Sequence, residues 1–244
     1  MNIIKPAWSA PAVVQAFCST RTGGVSQAPF DSFNLAGHVG DNPDHVRRNR
    51  AILMQSQNLP SQPNWLVQSH SATVVTLESE QNRHADAAIT RQPGTIAVVM
   101  TADCLPILLC NLAGTEIAAV HAGWRGLHAG VVQQTLAKML SPANQLIAWI
   151  GPAISQPRFE VGDEVRQAYI AKNDSAQSRF IANQPGRWLC DLAGLACDLL
   201  IRYGVQQVYR SNLCSYTNQD QYFSYRRDAL TGRMASLIWI QSGA

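Results

Sequence analysis

One thiol and two imidazoles stand at the ends of apolar runs: His70 after Trp65-Leu66-Val67, Cys104 after Ile96 to Met100, and His121 directly after Glu116 to Val120. Zinc accepts thiolate and neutral imidazole, and a catalytic zinc keeps three protein ligands with one position open to water or substrate. The same atoms allow a second chemistry, with Cys104 as a nucleophile in acyl transfer and a histidine as its base. A third reading is structural, in which hydrogen bonds satisfy the histidines and the cysteine fills apolar space. The separations match no short ligand motif, so spacing does not choose among the three. Six histidines with no His-X-His pair argue against a multicopper oxidase, which needs many imidazoles.

Several cations could meet an anion. Arg125 precedes Gly126 and a helix, whose N-terminus also favours negative charge; a plain surface arginine is the alternative. Thr20-Arg21-Thr22-Gly23-Gly24-Val25-Ser26 contains paired glycines that permit unusual backbone turns, so the loop can present amides and Arg21 to an anion or be an ordinary connection. Arg50 shares a helix face with Val46 and Leu53 and needs an acceptor there, either a carboxylate or a bound anion. Cys110, within an apolar run, reads as core, and His128 either faces inward or caps a helix.

The elements that must position these groups alternate between strand and helix. Short apolar runs predict strands at Val13 to Ser19, Trp65 to Val67, Ile96 to Met100, Leu105 to Cys110, Glu116 to Val120, Gln145 to Ile150, Val205 to Tyr209 and Met234 to Ile240. Helices are predicted from Asp44 to Gln57, after Gly123 and Gly126 on the positions Val132, Leu136, Met139 and Leu140, from Val161 to about Ala171, and from Leu192 to Tyr203, where Gly204 marks the end. The polar stretch 76–94, with His84 and Asp86, reads as surface turns. This pattern predicts a mixed α/β fold, one domain over residues 1–244.

Composition narrows the function classes. The chain has 244 residues, 46% hydrophobic and 14% charged, enough for a substantial core. A net charge of +3 without a dense Lys/Arg tract points away from nucleic acid but suits a small anionic substrate. Pro6 and Pro11 interrupt the N-terminus, which lacks an apolar run for export or membrane insertion; a cytoplasmic protein is expected. Six scattered cysteines point to reduced thiols.

STRTGGVS (19–26), FNLAGHVGDNPDHVRRNR (33–50), QSH (68–70), TADCLPILL (101–109), VHAGWRG (120–126), IGPAI (150–154), YFSYRRD (222–228) and TGR (231–233) together resemble the bacterial laccase-domain family. Older descriptions made its members multicopper polyphenol oxidases; newer ones make them zinc-dependent purine nucleoside phosphorylases with adenosine deaminase activity. The resemblance implies a four-layer α/β/β/α sandwich of mixed sheets, and a zinc held by His70, Cys104 and His121, with copper the less expected metal. It implies that adenosine, inosine, guanosine and methylthioadenosine are split by phosphate to free base and ribose 1-phosphate, and that adenosine is deaminated to inosine. Arg21, Arg47, Arg50 and Arg125 are then the candidate phosphate ligands. Asp103, beside Cys104, is a candidate proton shuttle or a partner that orients a histidine. Other relatives are peptidoglycan editing factors, which release a misplaced serine from a UDP-muramyl precursor by amide hydrolysis. Two departures stand out: Ala153, where relatives often carry cysteine, and Ser69, where valine is common. Oligomeric state is not legible in the chain.

Overall fold

The most apolar runs become strands covered on both faces. In the computed structural model, which describes residues 1–242, β6 (Leu105–Asn111) and β13 (Met234–Ile240) are buried at every position, as near-continuous apolar strands require. They belong to different sheets. A six-stranded sheet runs in the order β12 (Gln207–Arg210), β8 (Leu146–Ile150), β6, β7 (Ile117–Ala122), β4 (Ala87–Thr90) and β3 (Val74–Thr76). Its outer pairs, β12 with β8 and β3 with β4, are parallel, and the inner pairs are antiparallel. A four-stranded antiparallel sheet has the order β1 (Ile3–Ile4), β2 (Val14–Ser19), β13 and β5 (Ala97–Thr101). A small antiparallel sheet joins β10 (Phe180–Gln184), β11 (Arg187–Cys190) and β9 (Glu160–Gly162).

Side chains alternate across each strand, and this sorts the core into three contacts. Ile107, Leu109, Ala118 and Val120 of the large sheet pack on Val131 and Val132 of α3 (Val131–Lys138) and Leu195 of α5 (Leu192–Arg202). Leu108, Cys110 and Ala119, on the opposite face, meet Cys18, Val99 and Ile238 of the four-stranded sheet. The far face of that sheet, with Phe17, Val98 and Leu237, packs on Leu53 of α1 (Pro43–Ser56). The result is the α/β/β/α layering that the resemblance implies. Leu108, fully buried between the sheets, marks the sensitive plane, where truncation to alanine costs about 2–5 kcal/mol.

The remaining helices are α2 (Trp124–Ala129), α4 (Asp163–Lys172) and α6 (Tyr225–Asp228). Asn42 caps α1 by accepting from the Asp44 amide, and Pro43 occupies its first turn, so that start was legible. Four boundaries differ from the sequence reading. Trp65 to Val67 is not a strand: only a bridge from Asn64 to Ala97 forms, and the Gln68 side chain pairs with both the amide and the carbonyl of Met100 in place of a ladder. Residues 76–94 are not all surface turns, because β4 and Asp86 within them are fully buried. Glu160 to Gly162 pairs as β9, so α4 begins only at Asp163. The helix expected after Gly126 begins earlier, at Trp124, and Gly130 at φ 99° divides it into α2 and α3, a conformation open to glycine. It ends at Lys138, leaving Leu140 78% exposed. No helix among the described residues is long and apolar enough to cross a membrane.

Candidate metal centre

The hairpin of β6 and β7 places two of the three candidate ligands. Its register pairs Pro106 with His121 and Leu105 with Ala122, so Cys104, just before β6, lies at the same end as His121. His70 comes from the loop before β3, with φ 62°, a backbone region uncommon for residues other than glycine. Its Nε2 lies 3.6 Å from Cys104 Sγ, close to the roughly 3.5 Å expected of two ligands sharing a tetrahedral zinc. Ligand atoms of His70, Cys104 and His121 all fall within 4.8 Å of one another, the one such cluster of metal-type side chains among the described residues. Gly123 makes room for them. A Cβ there would sit 2.7 Å from Cys104 Sγ and 2.8 Å from His70 Cδ2.

Asp86 holds the centre together. Fully buried, its carboxylate accepts from the amides of Ser69, His70 and Ser71 at 3.2, 3.0 and 2.6 Å, from the Ser71 hydroxyl at 2.7 Å and from His121 Nδ1 at 2.7 Å. That last bond fixes the His121 tautomer and leaves Nε2 as its free donor atom. Burial alone would raise the Asp86 pKa, but the hydrogen bonds from His121 and Ser71 overcome it and hold the group at about 2. Burial also opposes charge on Cys104, yet the His121 charge and the hydrogen bonds from both histidines depress its pKa. His121 is raised in turn by the facing Cys104 and by Asp86, against its burial. Thiolate is the form in which cysteine ligates metal. The donor set, the fixed tautomer and the space at Gly123 fit one divalent ion.

The trio lines a cavity of about 450 Å³, within the range of small-molecule sites. Arg125, Arg226 and Arg233 line it too, and none has a carboxylate within ion-pair distance among the described residues. The Arg125 guanidinium lies 4.4 Å over the Trp124 ring. Arg226 donates to the Glu160 carbonyl at 2.9 Å, and Arg233 to the carbonyls of Thr231 and Gly232. His38 also lines the cavity, held toward its neutral form by burial and then by the charges of Arg233 and Arg50.

Of the sequence-expected residues, the structure brings His70, Cys104, His121, Asp103 and Arg125 to this cavity. The other arginines are elsewhere. Arg21 pairs with Asp31 and donates to the Gln219 carbonyl in a separate surface depression. Arg47 is exposed and pairs with Asp44 in the first turn of α1. Arg50 does find an acceptor, but neither a carboxylate nor an anion: it donates twice to the Leu35 carbonyl and stacks 3.9 Å over Trp65. The Asp103 carboxylate is engaged by the hydroxyls of Ser215 and Ser224 and the amide of Arg226. His128 turns to the Ala168 carbonyl of α4. All six cysteines are free.

Residue reading missed Asp86, His38, Arg226 and Arg233. Asp86 carried a signal, a lone carboxylate between Ala85 and Ala87-Ala88-Ile89, which a buried strand entry explains.

The family model described as multi-copper polyphenol oxidoreductase laccase matches residues 15–241. The chain belongs to this laccase family. Family members named purine nucleoside phosphorylase YfiH, from Escherichia coli K12 and Shigella flexneri, are 49% and 50% identical to it over 98% of this chain and 99% of theirs. Among solved structures, Neisseria meningitidis protein NMB0706 superposes with a TM-score of 0.94 at 46% identity, covering 99% of this chain and 100% of that one. A Bacillus licheniformis hypothetical protein YfiH gives 0.87 at 26% identity over 93% of each chain. Among the described residues one cluster of metal-type side chains forms, two imidazoles and a thiol, a donor set for a single ion.

Proposed function

We propose that this chain is a zinc-dependent purine nucleoside phosphorylase that also deaminates adenosine. The observation that carries the reading is the convergence of His70, Cys104 and His121 on the wall of a cavity whose arginines have no carboxylate partner among the described residues. The names of the relatives support the same reaction class. Zinc bound by the trio would supply a Lewis acid and lower the pKa of a water molecule. Copper accepts the same donors, so metal analysis belongs to the test.

The chain's own groups account for the rest. Phosphorolysis joins a phosphate oxygen to ribose C1′ while the C1′–N9 bond breaks and the purine leaves, taking a proton. Arg125, Arg226 and Arg233 hold the phosphate, each retaining N–H donors beyond its protein contacts. Trp124, Phe159 and Tyr225 supply apolar lining, each ring carrying one of the three arginines over it at 4.4, 5.2 and 5.8 Å. Neutral His38 offers one donor and one acceptor to ribose or base. In deamination, water adds at purine C6 and ammonia leaves, with no phosphate consumed.

Chromatography of adenosine reactions with and without phosphate, alongside elemental analysis, tests this reading. Adenine should form only with phosphate, inosine should form without it, and one zinc should copurify per chain. Full turnover by metal-free protein, or no adenine at all, would overturn it. The rival amide hydrolysis predicts serine release from a UDP-muramyl precursor independent of phosphate.

A further inference from the structure

We propose that Asp103 is a positioning residue: it ties Arg226 to the turn that carries Cys104 and thereby sets the phosphate end of the cavity relative to the metal end. The inference rests on the phosphorolysis reading above.

Asp103 lies in the turn between β5 and β6, one residue before Cys104, with φ 87°. A residue other than glycine is held in that region only where its surroundings compensate. Three donors do so. Ser215 Oγ donates to Oδ1 at 2.6 Å, and Ser224 Oγ and the Arg226 amide donate to Oδ2 at 3.0 and 2.6 Å. All three come from one segment near the end of the chain. In the other direction, the Asp103 carbonyl accepts from the Ile154 amide at 3.0 Å, which anchors the turn to the segment after β8.

The segment itself is braced as a unit. Ser224 caps α6 by accepting from the Arg227 amide. Arg227 donates to the carbonyls of Ser215, Tyr216 and Tyr222 at 2.9–3.0 Å. Its neighbour Arg226 lines the cavity and reaches the Glu160 carbonyl. Arg227 thus stiffens the segment, and Asp103 fixes where the stiffened piece sits. All three hydrogen bonds to the Asp103 carboxylate come from residues 215–226, so its contacts are those of a group that holds a donor-bearing segment in place.

The variants Asp103→Ala, Asp103→Asn, Arg226→Ala and the Asp103→Ala/Arg226→Ala double should be assayed for phosphorolysis, with metal content measured on each. Asparagine can keep the latch, its carbonyl accepting from the Arg226 amide and its NH2 donating to a serine hydroxyl, but it cannot shuttle a proton. Asp103→Ala should raise the phosphate KM about 10–100-fold, the range for losing a charge-assisted contact, with nucleoside KM and metal content little changed. Asp103→Asn should recover most of that loss. The double variant should be no worse than Arg226→Ala, the sign of two residues acting through one interaction. Ser224→Ala, which removes a single donor, should move phosphate KM in the same direction by less and serves if Asp103→Ala does not fold. Additive effects overturn the latch, as does a kcat loss in Asp103→Asn equal to that in Asp103→Ala with phosphate KM unchanged. A wild-type enzyme without phosphate dependence overturns the phosphorolysis reading and the latch together, whereas additive effects in a phosphate-dependent enzyme overturn the latch alone.

Discussion

Asp86 and Asp103 are two versions of one device placed on either side of the same hairpin. Both are buried carboxylates that accept several hydrogen bonds and sit against a candidate ligand. Their clients differ. Asp86 binds the ring of His121 and the backbone around His70, so it orients the ligands themselves. Asp103 binds hydroxyls and an amide of the segment that bears Arg226, and no ligand side chain. The comparison teaches that a carboxylate's neighbour in sequence says less about its role than the identity of its donors.

Asp86→Ala should have the largest effect. Loss of a partner that orients a metal-binding histidine lowers metal affinity about 10–100-fold, and leaving His121 buried without its acceptor costs about 3–5 kcal/mol of stability. Competition with a chelator and thermal unfolding check both, and the contrast with Asp103→Ala is sharp because that variant should keep its metal. Equal metal loss in the two would dissolve the distinction. Gly123→Ala should come next. A methyl 2.7 Å from Cys104 Sγ and 2.8 Å from the His70 ring must displace one of them, at about 1–3 kcal/mol and with weakened metal retention in the same chelator assay. Unchanged retention would show that the trio is looser than its packing implies. Arg47→Ala should do least. Its ion pair with Asp44 is exposed on both sides, so neither melting temperature nor phosphate KM should move measurably; a raised phosphate KM would bring α1 into the anion site.

What the sequence made legible follows from how local each cause is. Strands β6, β7 and β8 of the large sheet and the start of α1 are local matters of apolar runs and capping residues, and they were readable. His70, Cys104 and His121 were singled out by residue type with three chemistries open, and the family resemblance is what turned the choice toward a metal. Asp86 was missed because its partners arrive from the loop before β3 and from β7; its apolar neighbours marked a buried strand entry but not the ring and amides it holds. The arginines show the same limit. Arg21 and Arg50 are taken up by Asp31 and by the Leu35 carbonyl, while Arg226 and Arg233 face the cavity. That sorting depends on contacts between distant parts of the chain, which neither periodicity nor charge pattern encodes.

The β6–β7 hairpin has a consequence for assembly. Cys104 and His121 are brought together by pairing within the β6–β7 hairpin, a local event, whereas His70 is held from outside it, through the Asp86 contacts to residues 69–71 and to His121. An ion caught by the hairpin would then act as a template, favouring arrival of the His70 loop over competing collapsed states and stabilising the native chain in proportion to free metal.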